Sequence, residues 1–476
     1  MTAPSPNSNP REVPIDASRY IAVEGSGVSG VPNTNSRRTD VGWMGLLPRI
    51  AVVGAHSAYC FLVGGIVASG LMVTRGEHAA RRHLCRRLTR LIERLGPAFI
   101  KGGQILSTRR DVLPAVLCDA LASLQDSTEP IRDPRGALAE AYGSALEATF
   151  EHVDYQAVAS GSVACVYRAR LRGGDVVAIK LRRPGIEKVM SVDLAIVNRV
   201  GTWVAQLPAM RGVPVRAVLD HLTEAIYAQL DFAREAQSLA RLRTSLTSDS
   251  EVRVPRIESQ ACRGAAVVME FVDGLDKQAS TRTEDAVRSR LAATALTAVY
   301  RMIFVDGFVH CDLHPGNLYF TEQGQVVVLD AGFSAELTHR MRRLFAEFFK
   351  EMSVGHGERC AELVIESAQG ASDDADLEGF RVRMADLVHR NARRAAKDFS
   401  LIGFAAEMFD LQRQHHIHAA PELLFPLLSL LVIEGTIRSL DPALDFQQLA
   451  QPVVMQALLG GAQPWAQSFL VKAAYP

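Results

Sequence analysis

The hydrophobic pattern changes period several times along the chain, and those changes divide it. Residues 1–40 carry Pro, Ser, Asn and Gly with few large apolar side chains. Such a segment buries too little surface to offset the entropy of ordering it, which predicts disorder. Residues 51–74 run for 24 positions without an acid, Lys or Arg, enough to span a bilayer as a helix. Residues 77–150 repeat apolar positions at helical spacing, as in HLCRRLTRLIERLG and PAVLCDALASLQD.

From about 150 the period shortens. VACVYRARL, the pair Gly173-Gly174 and VVAIKLRRPG read as two strands joined by a glycine turn. Helical spacing returns over 191–246, and VRVPRI and AAVVMEFVDG follow as strands. The chain from about 280 is mainly helical, interrupted by GFVHCDLHPGNLYF and QVVVLDAGFSAEL. Strands first and helices later predict one α+β catalytic unit behind a helical extension.

Length and charge narrow the picture. The 476 residues suffice for a two-lobed catalytic domain with extensions. Lys and Arg total 52, as do Asp and Glu, so no global field favours nucleic acid and none is expected as a partner. Seven dispersed cysteines without a CxxC pair fit a reducing, cytoplasmic compartment. The N-terminal segment lacks the apolar core of a signal peptide. Within 51–74, small residues recur four apart at Gly54/Ala58 and Gly64/Ala68, a spacing that lets helices approach closely. Arg75, Arg81, Arg82, Arg86, Arg87 and Arg90 follow, which would keep that end cytoplasmic. A spanning helix, a membrane-surface or partner-facing helix and a core helix all remain open for this run.

Phosphoryl transfer needs a loop over the phosphates, a lysine on them, metal ligands and an acid to position the nucleophile. The chain supplies these in kinase order. Ala159-Ser160-Gly161-Ser162-Val163-Ala164 is a small-residue loop whose backbone N–H groups can approach phosphate. Lys180 follows on the apolar run VVAI. In His310-Cys311-Asp312-Leu313-His314-Pro315-Gly316-Asn317, Asp and Asn stand five apart, the spacing in which Asp312 meets the nucleophile and Asn317 holds Mg²⁺. Asp330-Ala331-Gly332 follows VVVL, placing a carboxylate at a strand end as the second metal ligand.

Other clusters have simpler readings. His310, Asp312 and His314 have the residue types of a transition-metal site, but the Asn317 and Asp330 context accounts for them better. His415, His416 and His418 read as a solvated loop, and Arg381–Lys397 as a solvated helix face.

Residues 95–114, LGPAFIKGGQILSTRRDVLP, resemble the KxGQ signature of the UbiB (AarF-like) atypical kinases through Lys101, Gly103 and Gln104. VAIKLRRPGI at 177–186, QLDFAREA at 229–236, MEFVDG at 269–274, GFVHCDLHPGN at 307–317, LDAG at 329–332 and EGTIRSLDP at 434–442 agree. The resemblance covers roughly 85–445. It implies a two-lobed protein-kinase-like fold: an apolar helix at 41–76, a KxGQ extension at 77–150, an N-lobe with a helical insertion at 151–275 and a helical C-lobe at 276–476. It further implies Mg-ATP binding, ATP hydrolysis and a membrane-linked role in isoprenoid-quinone biosynthesis, with a quinone or other lipid and other quinone-biosynthesis proteins as partners.

By that resemblance Lys180 goes to the phosphates with Glu235 as its partner, and Asp312 is the catalytic acid/base. Asn317 and Asp330 are the metal ligands. Ala159, Ser160, Gly161, Ser162, Val163, Glu270 and Val272 surround the nucleotide, and Lys101, Gln104 and Asp231 belong to the regulatory extension.

Three departures stand out. The family's ExD becomes Gln229-Leu230-Asp231, removing a charge expected to face the KxGQ segment or the metal. Ser160 and Gly161 replace alanines, and Ala331 replaces the DFG phenylalanine that ties the metal turn to the core. Two other function classes compete: a small-molecule phosphotransferase of aminoglycoside-kinase type, suggested by HCDLHPGN, and a non-catalytic nucleotide- or lipid-binding scaffold.

Overall fold

The computed structural model describes residues 43–459 apart from 108–114, 125–128, 207–214, 247–250, 276–283, 314–315, 322–323, 369, 372–374, 393–397 and 419. The expectation of disorder over 1–40 therefore lies outside the described residues, as do His314 and the end of the basic stretch at 393–397.

The helical extension comprises α1 (Trp43–Arg75), α2 (Glu77–Leu95), α3 (Pro97–Ser107), α4 (Ala115–Ala122), α5 (Pro134–Tyr142) and α6 (Ala145–Thr149). Only one pair of the small residues in α1 is used for packing. A Cβ on Gly64 would stand 3.3 Å from Arg87 Cδ, whereas one on Gly54 would meet nothing within 4 Å. Cys60 and Ala68 share the packed face, with the Cys60 thiol against the Arg87 carbonyl. The other face leaves Phe61 67%, Ile66 74% and Val73 88% exposed. At the base of α1, Arg49 forms a two-pronged pair with buried Asp193, at 2.7 and 3.0 Å, and also donates to the Leu95 carbonyl at the end of α2.

A four-stranded antiparallel sheet follows in the order β1 (Phe150–Ser160), β2 (Ala164–Leu171), β3 (Val176–Arg182) and, later in sequence, β5 (Ala266–Glu270). The two strands and glycine turn expected from the sequence are β2 and β3. Strand β1 escaped the pattern because its register shifts three times between Phe150 and Ala159, so its side chains do not keep a two-residue alternation. In β3 the alternation is clean. Val177, Ile179 and Leu181 enter a core with Leu138, Phe150 and Tyr167, while Ala178 faces the second, larger core. Lys180, on the face of Ala178, is thereby directed toward the helices.

Those helices are α7 (Ile186–Val204), α8 (Val215–Leu230) and α9 (Phe232–Leu246). Asp231 sits between α8 and α9, and its side chain accepts the Arg234 N–H at 3.1 Å, starting α9 as an N-cap. Phe232, Glu235, Ser238, Leu239, Leu242 and Leu246 form the buried stripe of α9, so Glu235 is the one acid on a mostly apolar face.

The C-terminal lobe begins with α10 (Asp285–Tyr300) and a π-helical turn, Arg301–Asp306. Gly307 then turns the chain into β6 (Phe308–His310) at φ 66, with the Leu337 carbonyl 3.3 Å from where a Cβ would stand. Strand β7 (Leu318–Phe320) pairs antiparallel with β8 (Val326–Val328), which also pairs with the short β4 (Val252–Arg253), and β9 (Ser334–Glu336) returns to β6. Helices α11 (His339–Val354), α12 (Gly357–Ser367), α13 (Leu377–Ala392), α14 (Leu401–Gln414), α15 (Pro421–Leu440) and α16 (Phe446–Leu458) complete the lobe. Rings of Tyr300, Phe304, Phe345 and Phe349 pack at its centre. Within EGTIRSLDP, buried Glu434 accepts the Leu401 and Ile402 N–H groups, satisfying the open start of α14.

One expectation needs correcting. The solvated loop expected at His415 to His418 holds only for the exposed His416: His415 packs on Phe380 beside Asp376, and β11 (Ile417–His418) pairs with β10 (Gly370–Ala371). Polar composition concealed a turn that tertiary neighbours cover. The basic face expected at Arg381–Lys397 is exposed where described, with Arg390 paired to Asp386 and Glu407.

Candidate active site

Strand β3 and helix α9 bring Lys180 to Glu235, Nζ to Oε1, at 2.5 Å, and the turn after β8 brings Asp330 Oδ2 to the same ammonium at 2.7 Å. The Phe232 ring lies beneath it, its centroid 5.5 Å from Nζ. Burial alone would lower the lysine pKa, but two carboxylates outweigh it and raise it above its ordinary value. Burial pushes Asp330 up, yet the Lys180 ammonium and the Gly332 N–H hold it well below the usual carboxylate range. For Glu235 burial wins over Lys180 and raises the carboxyl to about 7. Its Oε2 is buried with no hydrogen-bond partner among the described residues.

Backbone geometry aims Asp330. The residue is non-glycine at φ 26, a conformation held by its surroundings. Oδ1 accepts the Gly332 N–H at 2.8 Å, and a Cβ on Gly332 would press to 3.2 Å from that oxygen. His310, fully buried, accepts the Asp312 N–H on Nδ1 at 3.1 Å, which leaves Nε2–H to donate to the Asp330 carbonyl. One imidazole thus ties the Asp312 loop to the Asp330 turn. Ser429 on α15 donates to the His310 carbonyl at 2.7 Å from beneath. The β7–β8 hairpin sets Asn317 opposite Leu329, whose N–H donates to the Asn317 carbonyl at 2.8 Å. The Asn317 amide nitrogen donates to the Asp312 carbonyl at 2.9 Å.

These residues suit a hard cation. Asn317 contributes an amide oxygen and Asp330 a carboxylate, donors of the oxygen type that Mg²⁺ takes together with phosphate oxygens. The transition-metal alternative fails on His310, because both ring nitrogens are engaged by backbone groups.

The chain matches a known family. The ABC1 atypical kinase-like domain matches residues 123–364. The chain belongs to the ABC1 atypical kinase-like family. Similar relatives carry the name "Probable protein kinase UbiB". The one from Sodalis glossinidius is 30% identical over 414 residues, covering 82% of this chain and 75% of the relative. That from Providencia stuartii is 28% identical over 420 residues, covering 84% and 77%. Among solved structures, Rv3197 of Mycobacterium tuberculosis, determined in complex with erythromycin, superposes with a TM-score of 0.53 at 20% identity, covering 73% of this chain and 90% of that one. That likeness supports the two-lobed, kinase-like fold.

The other positions singled out in this ABC1 chain fall into three groups. Ala159 and Ser160 end β1, and Gly161, Ser162 and Val163 make a tight turn closed by the Gly161 N–H on the Ala164 carbonyl. Arg183 pins that turn through the Gly161 carbonyl and the Ser160 hydroxyl, both at 2.9 Å. Glu270 directs its carboxylate to Arg253 and the Arg256 N–H, away from the lysine, and Val272 is buried. Lys101 is 9% exposed on α3, which packs against α7 and α8. Gln104 donates to the Leu124 carbonyl at 3.2 Å, and a Cβ on Gly103 would collide with Leu124 at 2.4 Å. A side chain at the signature glycine would thus force Leu124 to shift.

Two departures look different in the fold. Ala331 is buried, but the ring expected to be missing is supplied two residues on. Phe333 packs on the core, and its carbonyl accepts the Cys311 N–H at 2.9 Å. Gln229 lies against the metal turn by its backbone, its Cα 3.8 Å from where a Gly332 Cβ would stand. Sequence reasoning missed Arg183, Phe232 and Ser429. Arg183 was visible in the shared LRRPG string, whereas Ser429 gave no local signal.

Proposed function

We propose that this ABC1-family chain binds Mg-ATP between the four-stranded sheet and the C-terminal helices, turns it over, and supports isoprenoid-quinone biosynthesis at the cytoplasmic face of a membrane. The observation that carries the reading is Lys180 bridging Glu235 and Asp330. Lys180, buried and held positive, neutralises phosphate charge. Glu235 orients it from α9, and Phe232 keeps water from beneath it. The loop 159–163 lies over the phosphates, its shape fixed by Arg183. Asp312 accepts the proton of an attacking hydroxyl or water. When bound at Asn317 and Asp330, Mg²⁺ supplies charge neutralisation on the phosphate oxygens. The names of the UbiB relatives support the kinase class and the quinone connection.

The membrane role is supported by α1. Leu47–Arg75 is the one described helix long and apolar enough to cross a membrane, and it is mostly uncovered. Docked along arginine-rich α2 by its small-residue face, it offers its apolar face outward, which favours the surface reading over a core helix.

Thermal-shift titration with Mg-ATP tests the site. Wild type should be stabilised saturably and Asp330→Asn should not; equal stabilisation of both rejects the assignment. Fractionation tests the membrane role. Deleting 41–76 should move the protein to the soluble fraction, and a wild type already wholly soluble would oppose it.

A further inference from the structure

The residue that follows β3 grips the nucleotide loop at both of its ends. The Arg183 backbone N–H donates to the Val163 carbonyl at 2.9 Å. Its side chain reaches back to the start of the same loop, where Nε donates to the Gly161 carbonyl and Nη2 to the Ser160 hydroxyl, both at 2.9 Å. Nη2 also donates to the Glu129 carbonyl at 2.5 Å. Glu129 belongs to the linker that brings the helical extension into α5, and Ile131 of that linker packs against the core of the sheet. One guanidinium therefore fastens the loop to the linker. The Ser160 hydroxyl also lies 3.4 Å from the thiol of fully buried Cys165, its partner across the β1–β2 ladder.

A loop that cradles phosphate works through its N–H groups, while its carbonyl oxygens repel the anion. Arg183 engages two of those carbonyls, at Gly161 and Val163, with donors of its own. The planar fork of a guanidinium fixes the angles between its acceptors, which the single ammonium of a lysine does not. Ser160 replaces an alanine of the family pattern, and an alanine offers that fork no oxygen. Resting on the Mg-ATP reading of this site, we propose that Arg183 is a positioning residue for phosphate binding. Its side chain locks loop 160–163 to the linker at Glu129, and Ser160 completes the lock. A displacement of the linker is thereby transmitted to the loop.

Two measurements on the full chain separate the lock from the nucleotide reading beneath it. Amide hydrogen exchange of the ligand-free protein reads the lock itself. Arg183→Lys keeps the charge and loses the fork, so exchange should quicken at 160–164 and at 131–132 together, by roughly fivefold, the scale of one hydrogen bond. Ser160→Ala should quicken the loop less, and should add little to Arg183→Lys because both remove the same contact. Calorimetric titration reads the consequence. Arg183→Lys should weaken Mg-ATP binding by roughly tenfold, the scale of a charged hydrogen bond, and leave adenosine binding unchanged. A variant that binds Mg-ATP like wild type would overturn the proposal, as would equal losses for the two ligands, which mark a general folding defect. Faster exchange in the loop beside an unchanged linker overturns the lock and leaves the nucleotide reading intact. A wild type that binds no Mg-ATP overturns that reading and the phosphate role with it.

Discussion

Lys180 and Asp330, 150 residues apart in sequence, meet in an ion pair of 2.7 Å that joins the sheet to the C-terminal lobe. Glu235 holds the same ammonium from α9, so three elements distant in sequence converge on one charge. Burial raises the Glu235 carboxyl to about 7, so the Lys180–Asp330 pair carries the fixed opposite charges of the triad.

The triad makes stability depend on pH in a defined direction. Burial raises Glu235 from its ordinary 4.5 to about 7. Between those values the folded protein holds a proton that the unfolded chain releases, so this group's contribution falls as pH rises from 4.5 to 7. Asp330 acts oppositely: its depressed pKa gives stability that is present above the ordinary value and lost at lower pH. Glu235→Gln should flatten the decline between pH 5 and 7 by on the order of 2 kcal/mol, as read from urea midpoints at the two pH values.

His310 ties the two loops of the site together. His310→Leu leaves the Asp330 carbonyl and the Asp312 N–H without their partner in a buried place. Stability should drop by about 2–4 kcal/mol in chemical denaturation. ATP turnover should fall further than that loss explains, because Asp330 is no longer aimed.

Arg49 and Asp193 anchor the apolar helix. Asp193 is fully buried, and burial pushes its carboxyl up against the pull of Arg49. Arg49→Ala strands that acid and should cost about 2 kcal/mol, less than a fully buried pair because Arg49 is partly exposed. Asp193→Leu in the same chain should recover most of the loss, because the stranded charge is gone. A double-mutant cycle by thermal denaturation measures the coupling.

Lys101 is the residue we propose distinguishes this chain from an ordinary kinase. Its burial on α3 implies a specific anionic partner, for which Asp231 or bound phosphate is the proposal. Lys101→Ala should change nucleotide affinity or turnover by roughly tenfold, the scale of one charged hydrogen bond, without unfolding the domain. Wild type should leave casein and myelin basic protein unphosphorylated while hydrolysing ATP slowly. Robust transfer to those proteins, or unchanged nucleotide handling in the variant, would sink the idea.

The sequence by itself determined the family and most of the order of elements, and it supplied the candidate residues of the proposed phosphate site. Those signals are local: period-two alternation in VVAIKLR, helical spacing around Glu235, and the five-residue step from Asp312 to Asn317. Only the tertiary structure decided what distant contacts control. Register shifts hid β1, because a bulged strand does not alternate. Phe333 replaced the ring expected at Ala331, and Ser429 reached His310 from 119 residues away. Local pattern fixes which face of an element is buried. What each buried polar atom meets there depends on packing between segments that the chain order does not place side by side.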